Sequence, residues 1–243
     1  MSFTQIEKDK DIAIIWLDQP GEKINKISAD LVSEFDNILD EFENDSEIKG
    51  LILISRKPDF IAGADLDKFI EMTKPGEAYQ LSRNGHKVLD RMAVFPKPIV
   101  AAINGAALGG GLEVALACTH RIATDNSKTV MALPEVKLGI LPGGGGTQRL
   151  PRLIGIQKAL NLMLTGKNVY PYPAKKMGLV DQVVNTYKLL DAAKQTIYKL
   201  SENSVNHKPR LSLLEKILES NPLGRKIIYN KSCSLVQKQT KGN

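Results

Sequence analysis

The sequence predicts an α/β fold, because short apolar segments alternate with helical patterns through residues 11–124. Two of these segments, residues 49–55 and 99–103, contain continuous apolar runs, which is typical of strands buried on both faces of a sheet. The 243 residues are 42% hydrophobic and 25% charged. This composition excludes a disordered, collagen-like or disulfide-framework protein.

The first half of the chain is interpreted in order from local patterns. Residues 11–17 predict a strand that ends in a turn cluster at 18–21, and Ser28 is suited to cap the helix that follows. That helix has apolar side chains at helical spacing: Leu31, Val32, Phe35, Ile38, Leu39 and Phe42. The next expected elements are a strand at 49–55, a short helix at 66–72 capped by Asp65, a longer helix at 77–92 and a strand at 99–103.

Beyond the strand at 99–103, Asn104 and Gly105 predict a turn, and the glycines at 109–111 open a helix that ends near residue 117. Residues 120–124 predict a strand, and residues 180–184 predict a short edge strand. Further helices are expected at 156–164, 173–178 and 187–200. The neighbourhood of Pro209 indicates a change to a helical, basic C-terminal piece.

The positive charge of the chain is confined to its C-terminal end. The formal net charge is +6, and residues 208–243 carry eight Lys or Arg residues against two Glu residues, which is the whole excess. Residues 1–207 are therefore neutral, and we expect no nucleic-acid partner. Nucleic-acid contact by the tail is the alternative.

Features that the sequence lacks indicate the expected cellular location of the protein and the kinds of site it contains. No apolar run approaches the roughly 20 residues of a membrane span, and the N-terminus has no secretory apolar segment. Cys118 and Cys233 stand far apart, which fits a reduced cytoplasmic location. The histidines, at 86, 120 and 207, are dispersed, so we expect no metal site. His86 lies in a polar stretch and is expected at the surface.

The glycines after the strand at 99–103 are the first sign of chemistry. They fit neither nucleotide-binding motif, since Val114 stands where a dinucleotide fingerprint needs glycine and Gly111 stands where a phosphate loop needs lysine. The pattern that remains is a strand followed by a glycine turn and by a helix N-terminus, whose first N–H groups have no partner within the helix. Such groups bind a phosphate, a carboxylate or the developing oxyanion of a carbonyl, and a plain packing turn is the alternative.

Two glutamates are candidate acid–base groups. Glu113 lies in the otherwise apolar stretch 112–117, and a buried carboxylate is costly unless it is paired or used. Glu135 follows Pro134, which suits a side chain held on a rigid turn. Two carboxyl groups at one site are a familiar acid–base device, although spacing alone does not bring these two together.

Three sequence blocks resemble the signature blocks of the enoyl-CoA hydratase/isomerase (crotonase) family, in its order and at its distances: residues 61–66, 102–113 and 133–150. Residues 164–167 and 174–181 are similar to the block that follows in that family. The resemblance covers roughly residues 3–200. It implies a crotonase-like spiral of ββα units with a C-terminal helical region.

A closer likeness involves residues 125–134 and 221–225, which resemble the N-terminal hydratase domain of the bacterial fatty-acid oxidation complex alpha subunit. In those proteins a linker helix and a 3-hydroxyacyl-CoA dehydrogenase follow. This likeness divides the chain into a hydratase domain at 1–200 and a basic helical extension at 201–243, leading toward a missing dehydrogenase domain.

The resemblance also implies roles for individual residues. The backbone N–H groups of Ala62 and Gly110 would form the oxyanion hole, and Glu113 and Glu135 would be the catalytic pair. The other substrate-binding positions are Gly63, Ala64, Asp65, Gly109 and Gly143. Candidates for contacts with the phosphates of coenzyme A are Lys68 and Lys97.

The implied activity is the addition of water to a trans-2-enoyl-CoA, giving a 3-hydroxyacyl-CoA in fatty-acid β-oxidation. Both glutamates are present, which favours hydration over isomerisation of a 3-enoyl-CoA; the isomerase and a non-catalytic CoA-binding domain are the alternatives. No cofactor is implied, because CoA is part of the substrate. The implied partners are further copies of the chain, as a trimer, or a dehydrogenase domain and a thiolase subunit.

Overall fold

The structure is a computed structural model that describes residues 2–63, 74, 76–202, 211 and 213–240. Its strands are β1 (Thr4–Asp9), β2 (Ile12–Leu17), β3 (Gly50–Ser55), β4 (Ile61–Ala62), β5 (Ile99–Ile103), β6 (Ala107–Leu108), β7 (His120–Thr124), β8 (Met131–Ala132) and β9 (Gln182–Val184). Its α-helices are α1 (Ala29–Glu43), α2 (Glu77–Ala93), α3 (Gly110–Ala117), α4 (Gly146–Ile154), α5 (Ile156–Thr165), α6 (Pro171–Met177), α7 (Leu189–Glu202), α8 (Leu213–Ser220) and α9 (Pro222–Thr240). The 3-10 helices are Glu135–Leu138 and Thr186–Lys188.

A six-stranded sheet lies at the centre, in the order β1-β2-β3-β5-β7-β9. Neighbouring strands are parallel except for β1 and β2, which are antiparallel. β3 and β5 are buried at every position, because both faces of the sheet are covered. On one face α7 packs through Leu189, Ala193 and Ile197. The other face carries the larger core, to which α1 and α2 contribute.

A second, smaller sheet contains the parallel strands β4, β6 and β8. Ala62 pairs with Leu108, and Leu108 pairs with Ala132. Because the three strands run in the same direction, their carboxyl ends lie at one edge. α3 begins directly after β6 and packs against β4, and a Cβ built on Gly111 would lie 2.1 Å from the carbonyl oxygen of Ile61. Only glycine allows this close approach.

Most elements predicted from the sequence are confirmed. The strands at 99–103 and 120–124 have the predicted bounds, and Ser28 caps α1 by accepting the N–H of Leu31 at 3.3 Å. β9 lies at the sheet edge, as expected. The predicted helix at 66–72 and the neighbourhood of Pro209 lie outside the described residues.

The structure also contains elements that the sequence did not predict, namely β1, the small sheet and α4. The side chains of β1 are mostly exposed and polar. The strands of the small sheet have two residues each, and α4 follows a glycine run and contains Pro151. The strands are too short or too polar to show an apolar period, and in α4 the glycines and Pro151 obscure the helical spacing of Leu150, Leu153 and Ile154.

The C-terminal residues form α8 and α9. Glu219 of α8 accepts the N–H of Ile156 at 2.8 Å, and Glu215 forms an ion pair with Lys158 at 3.0 Å. α7 continues through residue 200, so the division of the chain at that residue stays a prediction. Among the described residues, no helix has the length and apolarity that crossing a bilayer requires.

Substitution of Gly111 by Ala tests the close contact between α3 and β4. We expect Gly111→Ala to lower the free energy of unfolding by about 3 kcal/mol, because the new methyl group meets backbone atoms of Ile61 that a side-chain rotation cannot clear. The control is Gly85→Ala within α2, where a Cβ meets nothing within 4 Å and Ala favours the helix by about 0.5–1 kcal/mol. Thermal unfolding measures both variants; a Gly111→Ala midpoint at or above that of the wild type would contradict the packing described.

Candidate active site

Three chain turns meet at the edge of the small sheet where its strands end. β4 is followed by Gly63, β6 is followed by Gly109, and β8 leads through Leu133 and Pro134 to Glu135. A Cβ built on Gly109 would lie 3.8 Å from the Cα of Gly63 and 3.2 Å from Oε1 of Glu135. The parallel register therefore brings together segments that are distant in the sequence.

Glu113 is buried in the first turn of α3, with 2% of its surface exposed. Its Oε1 accepts the N–H groups of Gly144 and Gly146, at 2.8 and 2.7 Å. Burial raises the pKa of this carboxyl, and the two amides partly oppose the rise. Its Oε2 lies 4.0 Å from the position of a Cβ on Gly110. Oε1 is thus bound by two backbone amides, and Oε2 lies near the first residue of α3.

Glu135 reaches the same place from the 3-10 helix after β8. It is 8% exposed, and its Oε2 is buried without a hydrogen-bond partner among the described residues. Burial, with a smaller contribution from the charge of Glu113, raises the pKa of Glu135 to about 7. At neutral pH this carboxyl is therefore divided between its protonated and ionised forms, which suits a group that gives and takes a proton.

The two expected backbone donors differ in availability. Gly110 is the first residue of α3, so its N–H has no partner within the helix. The N–H of Ala62 donates to the carbonyl oxygen of Asn25 at 2.9 Å. The assignment of Ala62 to the oxyanion hole is therefore wrong, because that N–H group is already hydrogen-bonded. A donor from this turn has to come from a residue after Ala62.

The other predicted substrate-binding positions fall in three places. Gly63 and Gly109 lie at the meeting turns, and the N–H of Gly109 is used in a bond to the carbonyl oxygen of Ala132 at 2.9 Å. Gly143 begins the glycine loop, which we define as residues 143–146. Ala64 and Asp65 lie outside the described residues.

The arrangement combines two buried carboxyl groups with the N-terminus of a helix at one edge of a sheet. The amide of Gly110 can donate to a carbonyl oxygen, and the two carboxyl groups can exchange protons with atoms close to that carbonyl. Within the described ranges, no three His, Cys, Asp or Glu side chains converge as a metal ion would require. This geometry suits proton transfer next to an activated carbonyl.

Comparison with known proteins assigns the chain to a family. A sequence model described as enoyl-CoA hydratase/isomerase matches residues 7–222. The chain belongs to this family. A curated relative, the fatty acid oxidation complex subunit alpha of Shewanella amazonensis, is 49% identical over 244 aligned positions, which cover 100% of this chain and 34% of the relative. The chain thus spans about a third of the length of the curated relatives it matches.

Solved structures of enoyl-CoA hydratase/isomerase proteins have the same fold. An enoyl-CoA hydratase from Bacillus anthracis is 31% identical, with a TM-score of 0.77 and coverage of 96% of this chain and 90% of that one. A monofunctional enoyl-CoA isomerase from M. smegmatis is 26% identical, with a TM-score of 0.68 and coverage of 84% and 87%. The predicted crotonase-like α/β fold is confirmed.

Two features of this family member's site were missed in the sequence. The amides of Gly144 and Gly146 hold Glu113, and the run of glycines at 143–146 was the signal that could have indicated a backbone contact. His86, which was expected at the surface, is half-buried, and its electrostatic interaction with Glu113 opposes the rise in the pKa of that carboxyl that burial causes.

The lysines that were candidates for coenzyme A phosphates do not form part of the described site. Nζ of Lys97 donates to the carbonyl oxygen of Phe42 at 2.5 Å and also to the carbonyl oxygen of Asp45. Lys97 therefore closes the C-terminal end of α1, and the interpretation of it as a phosphate ligand is wrong. Lys68 lies outside the described residues.

The raised pKa of Glu135 predicts a stability effect with a definite sign. Between the ordinary pKa near 4.5 and about 7, the folded protein retains a proton that the unfolded chain releases, so the wild type loses stability as the pH rises through this window. We expect Glu135→Gln to remove that loss. Its stability relative to the wild type should grow from pH 4 to pH 8 by up to about 3 kcal/mol, measured by denaturant unfolding. A stability difference that stays constant across this range would contradict the raised pKa of the buried Glu135 carboxyl.

Proposed function

We propose that this chain hydrates trans-2-enoyl-CoA thioesters to 3-hydroxyacyl-CoA thioesters. The observation that carries the proposal is the meeting of Glu113 and Glu135, both buried, at the first residues of α3. Two such carboxyl groups are more than binding requires, and each carries a cost of burial. Their presence beside a backbone N–H that has no acceptor within its own helix therefore supports a catalytic site over a non-catalytic CoA-binding domain.

The backbone N–H of Gly110 polarises the thioester carbonyl, together with a second donor from the turn after Ala62, at Gly63 or Ala64. Hydrogen bonds to this oxygen become stronger as the carbonyl gains enolate character in the transition state. The loss of one such donor typically costs about 3–4 kcal/mol of transition-state stabilisation. The dipole of α3 adds to the effect, because its positive end lies at Gly110.

The two carboxyl groups divide the proton transfers. Glu113, in its ionised form, holds a water molecule and takes its proton as the water oxygen bonds to C3. Glu135, in its protonated form, delivers a proton to C2, so that the water adds across the double bond without a net change of protons in the pair. Because the two groups interact electrostatically, they titrate as a pair. The reaction requires no cofactor and no metal, since CoA is part of the substrate.

The second candidate is a double-bond isomerase acting on 3-enoyl-CoA. A pKa of about 7 allows Glu135 alone to take a proton from one carbon and return it to another. The similar structure from M. smegmatis, described as a monofunctional enoyl-CoA isomerase, supports this candidate. Glu113 is the feature that favours hydration, since isomerisation has no water to activate.

The relatives suggest a context for this reaction. The curated relatives are alpha subunits of a fatty acid oxidation complex. We propose β-oxidation as the pathway, with a dehydrogenase domain and a thiolase subunit as partners in the assembled complex, or a homotrimer otherwise. We also propose a cytoplasmic location, which the free thiols of Cys118 and Cys233 support.

Two substitutions separate the two candidate activities. We expect Glu113→Gln and Glu135→Gln each to lower kcat for crotonyl-CoA hydration by about 100-fold or more, because each removes one proton transfer. Glu113→Gln should retain isomerisation of a 3-enoyl-CoA, whereas Glu135→Gln should lose it. Hydration is measured by the decrease of the conjugated-thioester absorbance, and isomerisation is measured by its appearance.

The matched control for these variants is Glu41→Gln, an exposed glutamate of α1 outside the site. It should leave both rates at the wild-type value. Near-normal hydration by either site variant would refute the role assigned to that residue. Loss of both reactions in Glu113→Gln would show that Glu113 serves more than the activation of water.

A further inference from the structure

One face of α2 lies against the glycine loop through residues spaced four apart. Ser82, His86 and Asp90 are separated by about one helical turn each, so they lie on the same side of the helix. Each of the three interacts with the loop, with Glu113 or with a residue that holds the loop. No part of the proposed reaction uses these three side chains directly.

The Oγ of Ser82 donates to the carbonyl oxygen of Gly143 at 3.1 Å. That carbonyl shares its peptide unit with the N–H of Gly144, which donates to Oε1 of Glu113 at 2.8 Å. In a planar trans peptide the C=O and N–H groups point in opposite directions. Ser82 and Glu113 therefore bind the two sides of one peptide group, and a rotation of that group breaks both hydrogen bonds together.

Arg149 of α4 holds the next peptide group of the loop. Its Nη1 donates to the carbonyl oxygen of Gly144 at 2.8 Å, and its Nη2 pairs with Asp90 of α2. The Arg149 side chain is 16% exposed and the Asp90 side chain is 75% exposed, so the contact with the loop carbonyl is better shielded from solvent than the ion pair. The guanidinium thus joins α2, the loop and α4, and Gly146, whose N–H is the second donor to Glu113, is the first residue of α4.

We infer that Ser82 and Arg149 are positioning residues for Glu113. Ser82 fixes the peptide group that carries the N–H of Gly144, and Arg149 fixes the next peptide group, which links it to the one that carries the N–H of Gly146, so that both amides point at Oε1. The inference rests on the proposed role of Glu113 in hydration. The charges of His86 and Arg149 also oppose the rise in the pKa of Glu113 that burial causes, and Glu113 in turn raises the pKa of Glu135. The loop contacts therefore affect both the direction and the ionisation of the same carboxyl.

The kinetic test uses Ser82→Ala and Arg149→Met, which remove the loop contacts and leave the carboxyl in place. We expect kcat for crotonyl-CoA hydration to fall about tenfold in the first variant and about 10- to 100-fold in the second, with KM within about twofold of the wild type. Because both residues act through Glu113, neither substitution should lower the residual rate of Glu113→Gln further.

A second readout does not depend on turnover. The pKa of Glu113 can be measured by carbon-13 NMR of protein labelled at the glutamate carboxyl groups, with the resonance assigned by its absence in Glu113→Gln. We expect this pKa to rise in Ser82→Ala, because misaligned amides stabilise the carboxylate less, and to rise in Arg149→Met, where the loss of the guanidinium charge adds to that effect, so Ser82→Ala is the variant that isolates the alignment. If the pKa rises but the wild type does not hydrate crotonyl-CoA, the proposed function is overturned and the positioning role stands.

The matched control is Arg152→Met. Arg152 also lies on α4, but among the described residues its Nη1 donates to the backbone and side-chain oxygens of Gln148, at 2.6 and 3.1 Å, and not to the glycine loop. This variant should keep the wild-type kcat and Glu113 pKa. Unchanged kcat and pKa in Ser82→Ala and Arg149→Met would overturn the inference, and so would equal losses of rate in the wild-type and Glu113→Gln backgrounds.

Discussion

A carboxyl group inside an apolar helix is the constraint on which the whole site depends. Glu113 remains usable there because two backbone amides of the glycine loop donate to one of its oxygens. Those bonds require the loop to pass close to α3, where a side chain on Gly144 would lie 2.7 Å from Oε2 of Glu113. Glycine is therefore required where the loop passes the buried carboxyl group, and contacts from α2 and α4 hold the loop in that place.

The small parallel sheet supplies the second half of the site. It has two-residue strands, yet its register sets where Gly63, Gly109 and Glu135 lie. A binding edge at the carboxyl ends of parallel strands is common in α/β proteins. Here that edge also adjoins the N-terminus of α3. The strand ends, the positive end of the helix dipole and both carboxyl groups therefore lie close together.

The sequence predicted the parts of the site that depend on local chemistry. A glutamate in an apolar stretch, Glu113, and a glutamate after a proline, Glu135, were both identified as candidates, and the main strands and helices were assigned close to their bounds. The assignment of Ala62, which came from the family resemblance, was wrong, and the interaction of His86 with Glu113 was missed. Contacts with segments far along the chain decide whether an N–H group is already hydrogen-bonded and which way a polar helix face turns.

The central claim is that the N–H of Gly110 binds the thioester oxygen beside the two carboxyl groups. Gly110→Pro removes that N–H at the first helical position, where proline is favoured, and Gly110→Ala retains it while meeting the same side-chain atom, Cδ1 of Ile27. The decisive measurement is the infrared carbonyl band of bound butanoyl-CoA labelled with carbon-13 at the thioester. The account predicts a shift to lower frequency in the wild type and Gly110→Ala that is reduced in Gly110→Pro; an equal band position in all three proteins would contradict it.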